Sequence, residues 1–152
     1  MKAKLDENFV AENVRQIIEL LGVSASAEVS HEDNSFFVDI SSEDSPLLIG
    51  KYGANLESLQ FILAIRLKTL SGSDDFEVFV DVDNWRKARE EKLKTMAQSV
   101  AEKVAESKNP ENIYNLKPSE RKVIHALLTN HPAVTTISEG EEPNRYLIVK
   151  PR

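Results

Sequence analysis

Apolar residues recur at helical spacing over Asp6–Leu21, where Phe9, Val10, Val14, Ile17, Ile18 and Leu21 share one side and Gly22 stands ready to stop the run. The pattern then changes to a period of two. Ala25, Ala27 and Val29 alternate with polar residues, Phe36, Val38 and Ile40 do the same, and Glu32-Asp33-Asn34 makes the turn between them. Leu56, Leu59, Leu63, Leu67 and Leu70 form one helical seam, Ser71–Asp75 reads as a loop, and Phe76, Val78, Val80 and Val82 alternate as a third strand. Residues 6–83 therefore predict helix, strand, strand, a helix with room for a break, and strand.

The rest of the chain repeats the logic in another order. A long helix is expected over about Asn84–Ser107, with Leu93, Met96, Ala97, Val100, Ala101 and Val104 on its apolar face, and Lys108-Asn109-Pro110 to end it. A short extended piece, Asn112–Leu116, leads to Pro118, which suits the first position of a helix carrying Val123, Ile124, Leu127 and Leu128. Val134–Ser138 and Arg145–Lys150 read as strands joined by the polar loop Glu139–Asn144. The expected fold class is α+β with two small domains, 1–84 and 85–152.

Charge supports that division. Residues 1–84 hold 6 Lys and Arg against 16 Asp and Glu, a net −10, while residues 85–152 hold 13 against 9, a net +4. A whole-chain charge of −6 looks wrong for a nucleic-acid binder, so any such binding would rest on local cationic patches and depend strongly on salt. The 152 residues contain no cysteine, which excludes disulfides, thiolate chemistry and cysteine zinc sites. No run approaches the length of a membrane span and the first residues lack the apolar core of a secretory signal, so a cytoplasmic protein without membrane insertion is the expectation.

Gly50-Lys51-Tyr52-Gly53 is the stretch with most chemistry. Glycines at both ends permit tight or left-handed backbone and close approach of a ligand, the following helix start favours phosphate, and Lys51 adds a cation. The plain alternative is an ordinary turn. Tyr52, inside a glycine turn, has little core to join and is expected to be exposed, where it could stack on a base. Trp85 is more simply buried at the junction of the two modules.

On the later short helix Arg121 and His125 are four residues apart and share a face, so together they could hold a phosphate. The alternative puts His125 at the core edge and leaves Arg121 solvated. The cations Arg86, Lys87, Arg89, Lys92 and Lys94 read as a solvated helix face, and Asp81 with Asp83 as an exposed strand face. His31, His125 and His131 lack metal-ligand spacing, and no nucleophile is assembled with a base, so neither a cofactor nor an enzymatic activity is expected.

The order helix-strand-strand, Leu47–Gln60 around Gly50-Lys51-Tyr52-Gly53, then strand, resembles a bacterial-type KH domain. The later module, with Arg121 and His125, resembles the R-three-H domain, and Val134–Arg145 is similar to the ending typical of the Jag (SpoIIIJ-associated) family. That resemblance covers about residues 6–150. It implies a non-catalytic protein that binds single-stranded RNA, with single-stranded DNA left open, and that is linked to cell elongation, division and envelope biogenesis as a post-transcriptional regulator or RNA chaperone. In KH domains such a loop clamps about four nucleotides and a neighbouring groove reads the bases. Carried onto this sequence, Gly50, Lys51, Tyr52 and Gly53 would be the clamp, Arg121 and His125 the second module's phosphate contacts, and Lys122 and Arg145 their neighbours. The family is also linked to a small single-KH partner protein. A homodimer is a further expectation, and the alternative function is a protein-interaction adaptor that uses the KH module for docking or dimerisation. Two departures are expected to matter. Many members carry an N-terminal Jag domain, which this chain is expected to lack, and many place two basic residues between the loop glycines, where the second here is Tyr52.

Overall fold

The computed structural model describes residues 5–152. The chain divides into two compact units, one reaching Arg86 and the other starting at Lys87.

In the first unit, α1 (Glu7–Leu21) begins where the Asp6 carboxylate accepts the Phe9 N–H at 3.0 Å and ends at Gly22, whose φ of 69° only glycine adopts cheaply. Two strands follow, β1 (Ala25–Glu32) and β2 (Ser35–Ser42), then α2 (Ser45–Ile49), a 3-10 turn (Lys51–Gly53), α3 (Ala54–Ser71) and β3 (Glu77–Val82). The sheet order is β1-β2-β3, with β1 and β2 antiparallel and β2 and β3 parallel. A parallel neighbour requires a crossover, and α2 and α3 supply it. The expected helix-strand-strand-helix-helix-strand order of a KH-like module is therefore present, and the anticipated break in the helix falls at Gly50.

One face of this sheet packs Phe36, Val38, Ile40, Val78, Val80 and Val82 against Val10, Val14 and Ile18 of α1 and Leu56, Leu59, Leu63 and Leu67 of α3. Asn13 is buried among them, with its amide donating to the Phe9 carbonyl at 2.8 Å and its oxygen accepting from Arg66 Nε at 2.6 Å. Leu70, expected in the α3 seam, is exposed. Continuing the seam from Leu67 in steps of four reaches Ser71, which is buried instead. The free edge of β3 is blunted by side chains. Gln60 Oε1 accepts the Val80 N–H at 2.9 Å, and Arg86 Nε donates to the Val80 carbonyl at 3.0 Å.

The long helix α4 (Trp85–Ser107) gives its first two residues to the first unit and the rest to the second. It is followed by β4 (Glu111–Ile113), α5 (Pro118–Leu128), β5 (Val134–Glu139) and β6 (Tyr146–Pro151). Both pairings in the sheet β4-β6-β5 are antiparallel. Leu93, Ala97, Ala101 and Val104 of α4 pack with Ile113, Leu116, Ile124, Leu128, Val134, Leu147 and Val149 as a separate core. The fold class is α+β with two sheets.

Candidate nucleic-acid interface

The Gly50–Gly53 loop is built from both sides. Gly50 has φ 69° and ψ −176°, a region that is essentially glycine's alone, and a Cβ there would lie 2.5 Å from Asn55 Cγ. Asn55 in turn donates to the Leu47 carbonyl at 2.8 Å, tying the start of α3 to α2 across the loop. Gly53, at φ 79°, sits under the Trp85 indole, where a Cβ would come within 2.3 Å of Cη2. Trp85 is half-buried against the first unit's own core, so its place is over the loop and that core. Neither Asn55 nor Trp85 was visible as a loop-shaping residue in the sequence, because both contacts depend on side-chain reach across a turn.

Held in this way, the loop turns its two middle side chains outward. Lys51 is exposed, and Tyr52, in the left-handed conformation at φ 53°, is 40% exposed, as expected. The Lys51 ammonium lies 5.5 Å from the Tyr52 ring centroid, a cation–π distance. Behind them α3 starts at Gly53 with no side-chain cap; the Ala54 N–H donates to the Lys51 carbonyl, and the positive dipole end of the helix lies at the loop. A cleft of about 220 Å³ adjoins it, lined by Ile17, Leu21, Leu47, Leu48, Ser58 and Ile62 among others.

The Arg121 and His125 helix is arranged differently from either sequence-based alternative. The buried stripe of α5 runs through Glu120, Arg121, Ile124 and Leu128, while Val123 and Leu127 are exposed. Arg121 is only 6% exposed. One guanidinium nitrogen donates to the Leu116 carbonyl at 2.8 Å and to the Arg145 carbonyl at 3.5 Å, and the other pairs with Glu142. His125 is the exposed member, with Nδ1 2.6 Å from Thr136 Oγ1. Lys122 and Arg145 are also exposed. The spacing did bring Arg121 and His125 onto one helix, but the fold rotates Arg121 inward, since three acceptors wait there.

Glu120, next to it, is buried as well. It receives Arg89 Nε at 2.7 Å and a second Arg89 nitrogen at 3.2 Å, and it accepts the Lys117 N–H at 2.9 Å. Burial pushes this carboxyl up, but the hydrogen bonds from Arg89 and Lys117 outweigh it and hold it below the usual carboxylate range. Arg89, expected on a solvated face, is thus a structural cation. Among the described residues no group of three or more His, Asp or Glu could hold a metal ion, and no helix is long and apolar enough to cross a membrane.

Residues 91–151 match the R-three-H domain model. RNA-binding protein KhpB of Clostridium symbiosum is 36% identical over 129 residues, which are 85% of this chain and 58% of that protein. The KhpB protein of Bacillus subtilis is 31% identical over 139 residues, 90% of this chain and 66% of its own length. The chain is a KhpB homologue of the Jag family. It spans about half to two thirds of the length of these relatives, since the Streptococcus pneumoniae KhpB, 32% identical over 154 residues, is covered to 47%. Among solved structures, a crystal structure of Aquifex aeolicus Era bound to GDP and aluminium fluoride aligns with 57% of this Jag-family chain and 35% of its own, at 25% identity and a TM-score of 0.41.

Proposed function

We propose that this chain is a non-catalytic, cytoplasmic protein that binds single-stranded RNA, and that it acts as a post-transcriptional regulator or RNA chaperone in cell elongation, division and envelope biogenesis. The observation that carries the reading is the exposed Lys51–Tyr52 pair on a glycine-pinned turn at the uncapped start of α3, beside an apolar cleft. Gly50 and Gly53 let the RNA backbone approach, Lys51 and the helix start attract phosphate, Tyr52 stacks on a base, and the cleft receives its neighbours. In the second unit His125, Lys122 and Arg145 are the contact residues. Arg121 acts through the Glu142–Arg145 loop that it holds. The curated relatives are named RNA-binding proteins, which supports the same conclusion.

A second reading is favoured by Phe61 and Ile65, exposed apolar side chains on the outer face of α3. They suit docking of another KH module, either a small single-KH partner or a second copy. This use of the module is compatible with RNA binding at the loop.

The test is the double substitution Lys51→Asp with Tyr52→Asp, since aspartate tolerates the left-handed backbone at position 52. Anisotropy with labelled oligouridylate at low salt should show binding weakened by about 2 kcal/mol or more, roughly thirtyfold, from loss of one stacked base and a phosphate cation. Thermal stability should not change. A double variant that binds as wild type does would overturn the clamp.

A further inference from the structure

We propose that the open face of the first unit's sheet is a docking surface for an extended, arginine-bearing peptide segment of a partner protein. This surface is separate from the RNA site and does not rest on the RNA reading.

The register of the three strands orders this face into rows. Ser30, Phe37 and Phe79 lie opposite one another, and the two phenylalanine rings stack at 5.3 Å with 17° between their planes. Both rings are on the water side, Phe37 37% exposed and Phe79 42%. Two residues along the strands in one direction lies the row Glu28, Asp39, Asp81, and two residues in the other lies Glu32, Ser35, Glu77. All five carboxylates of the sheet thus flank the aromatic pair, and its three strands contain no lysine or arginine. Asp81 accepts main-chain N–H groups of Val82 and Arg86, and none of the five forms an ion pair among the described residues. Carboxylates directly opposite one another across strands repel. The fold carries this cost on a face where two large apolar rings already lack cover.

Charge complementarity selects the occupant. A nucleic-acid backbone is repelled by both acidic rows, whereas a guanidinium stacks on phenylalanine and donates in pairs to carboxylates. The mode follows from the edge. Gln60 and Arg86 occupy the Val80 main-chain groups, so at that point the partner lies across the face and cannot add as a strand to β3. A depression of about 440 Å³ lined by Phe37, Asp39, Gln60, Phe79, Asp81 and Arg86 receives it. Alternate side chains of an extended peptide project to one side about 7 Å apart, which is also the spacing of residues two apart along these strands. The matching sequence is arginine, any residue, an apolar residue, any residue, arginine.

The probe is a peptide with that five-residue pattern, serine at the free positions, titrated into the 15N-labelled full chain. Amide shifts are expected at Phe37, Asp39, Phe79 and Asp81 and not at Gly50–Gly53. Glu28→Gln with Asp39→Asn should weaken binding at least about tenfold, since losing the charge-assisted pairing of one arginine with this row is worth a factor of that order. The same variant should keep or raise its melting temperature, because opposed like charges are removed. The control, Glu7→Gln with Asp74→Asn, alters the unit's charge equally and should leave affinity unchanged. The proposal fails if no sheet amide moves, if the control weakens binding as much as the test pair, or if oligouridylate shifts the same sheet amides.

Discussion

The two units treat charge in opposite ways. Among the described residues, the first buries polar groups only as Asn13 and Ser71, and presents the cation and aromatic of its motif to water. The second buries Glu120 and Arg121, the latter being one of the two residues by which its motif is named, and leaves His125 outside. Two motifs of similar length thus do different physical work. In the Gly50–Gly53 loop the glycines build the shape and the middle residues are exposed to water. In α5 the arginine is spent on the protein's own carbonyls, and what it offers a ligand is the position of the loop it grips. A residue spacing says which side chains share a face. Whether that face meets water or protein depends on the acceptors the rest of the fold supplies.

The strongest way to break this contrast is Arg121→Ala. Removing the guanidinium leaves the Leu116 carbonyl without its donor and opens a void on the buried stripe of α5. Glu142, largely in water, adds little to the cost. The second unit should lose about 2–3 kcal/mol, read as an earlier thermal transition, with RNA affinity falling through displacement of Arg145. An alanine variant that melts like wild type but no longer binds RNA would mean that Arg121 contacts phosphate directly, and the two motifs would then be alike.

A smaller effect separates shape from chemistry in the first unit. Gly53→Ala puts a methyl group 2.3 Å from the Trp85 indole on a backbone at φ 79°, whereas Gly22→Ala meets nothing within 4 Å at a similar φ of 69°. Both bear the left-handed penalty of about 1 kcal/mol, and only Gly53 adds overpacking, for about 2 kcal/mol in all. Chemical denaturation of the two variants measures the difference directly. Equal losses would show that Trp85 moves aside freely and does not pin the loop.

The same physics decides how much of the molecule could be read from its sequence. Strands β2 and β3, the helix stop at Gly22 and the start of α5 at Pro118 were legible, because alternation and backbone punctuation are local. The loop's exposure was legible for the same reason. Arg121 was not, since nothing within a few residues announces the carbonyls of Leu116 and Arg145. Centring the apolar stripe on Val123, Ile124, Leu127 and Leu128 followed composition, and the fold shifted that stripe toward a satisfied buried charge. Arg89 was misplaced by the same rule: it sits in a cationic run, yet it pairs with Glu120, whereas Arg86 in the same run is exposed as expected.

That buried pair gives the smallest and most discriminating prediction, because it ties the stability of one unit to acid. In the first unit the Glu12 carboxyl is drawn down to about 2 by hydrogen bonds from Arg15 and then Gln16, but it lies in water and its pairing contributes little to folding. Glu120 is held low while buried, so its charge matters to the fold. A carboxyl depressed in the folded state stabilises fully above its unfolded value, near 4.3, and that contribution is lost as pH falls from there through the folded value. Glu120→Gln keeps the shape and removes the charge, and should cost about 1–2 kcal/mol at neutral pH. By pH 3 the gap between wild type and variant should have narrowed, with the second unit's transition carrying the change. Denaturant melts of both proteins at the two pH values test it, and a gap that stays constant would show that Arg89 and Glu120 hold the helix by shape alone.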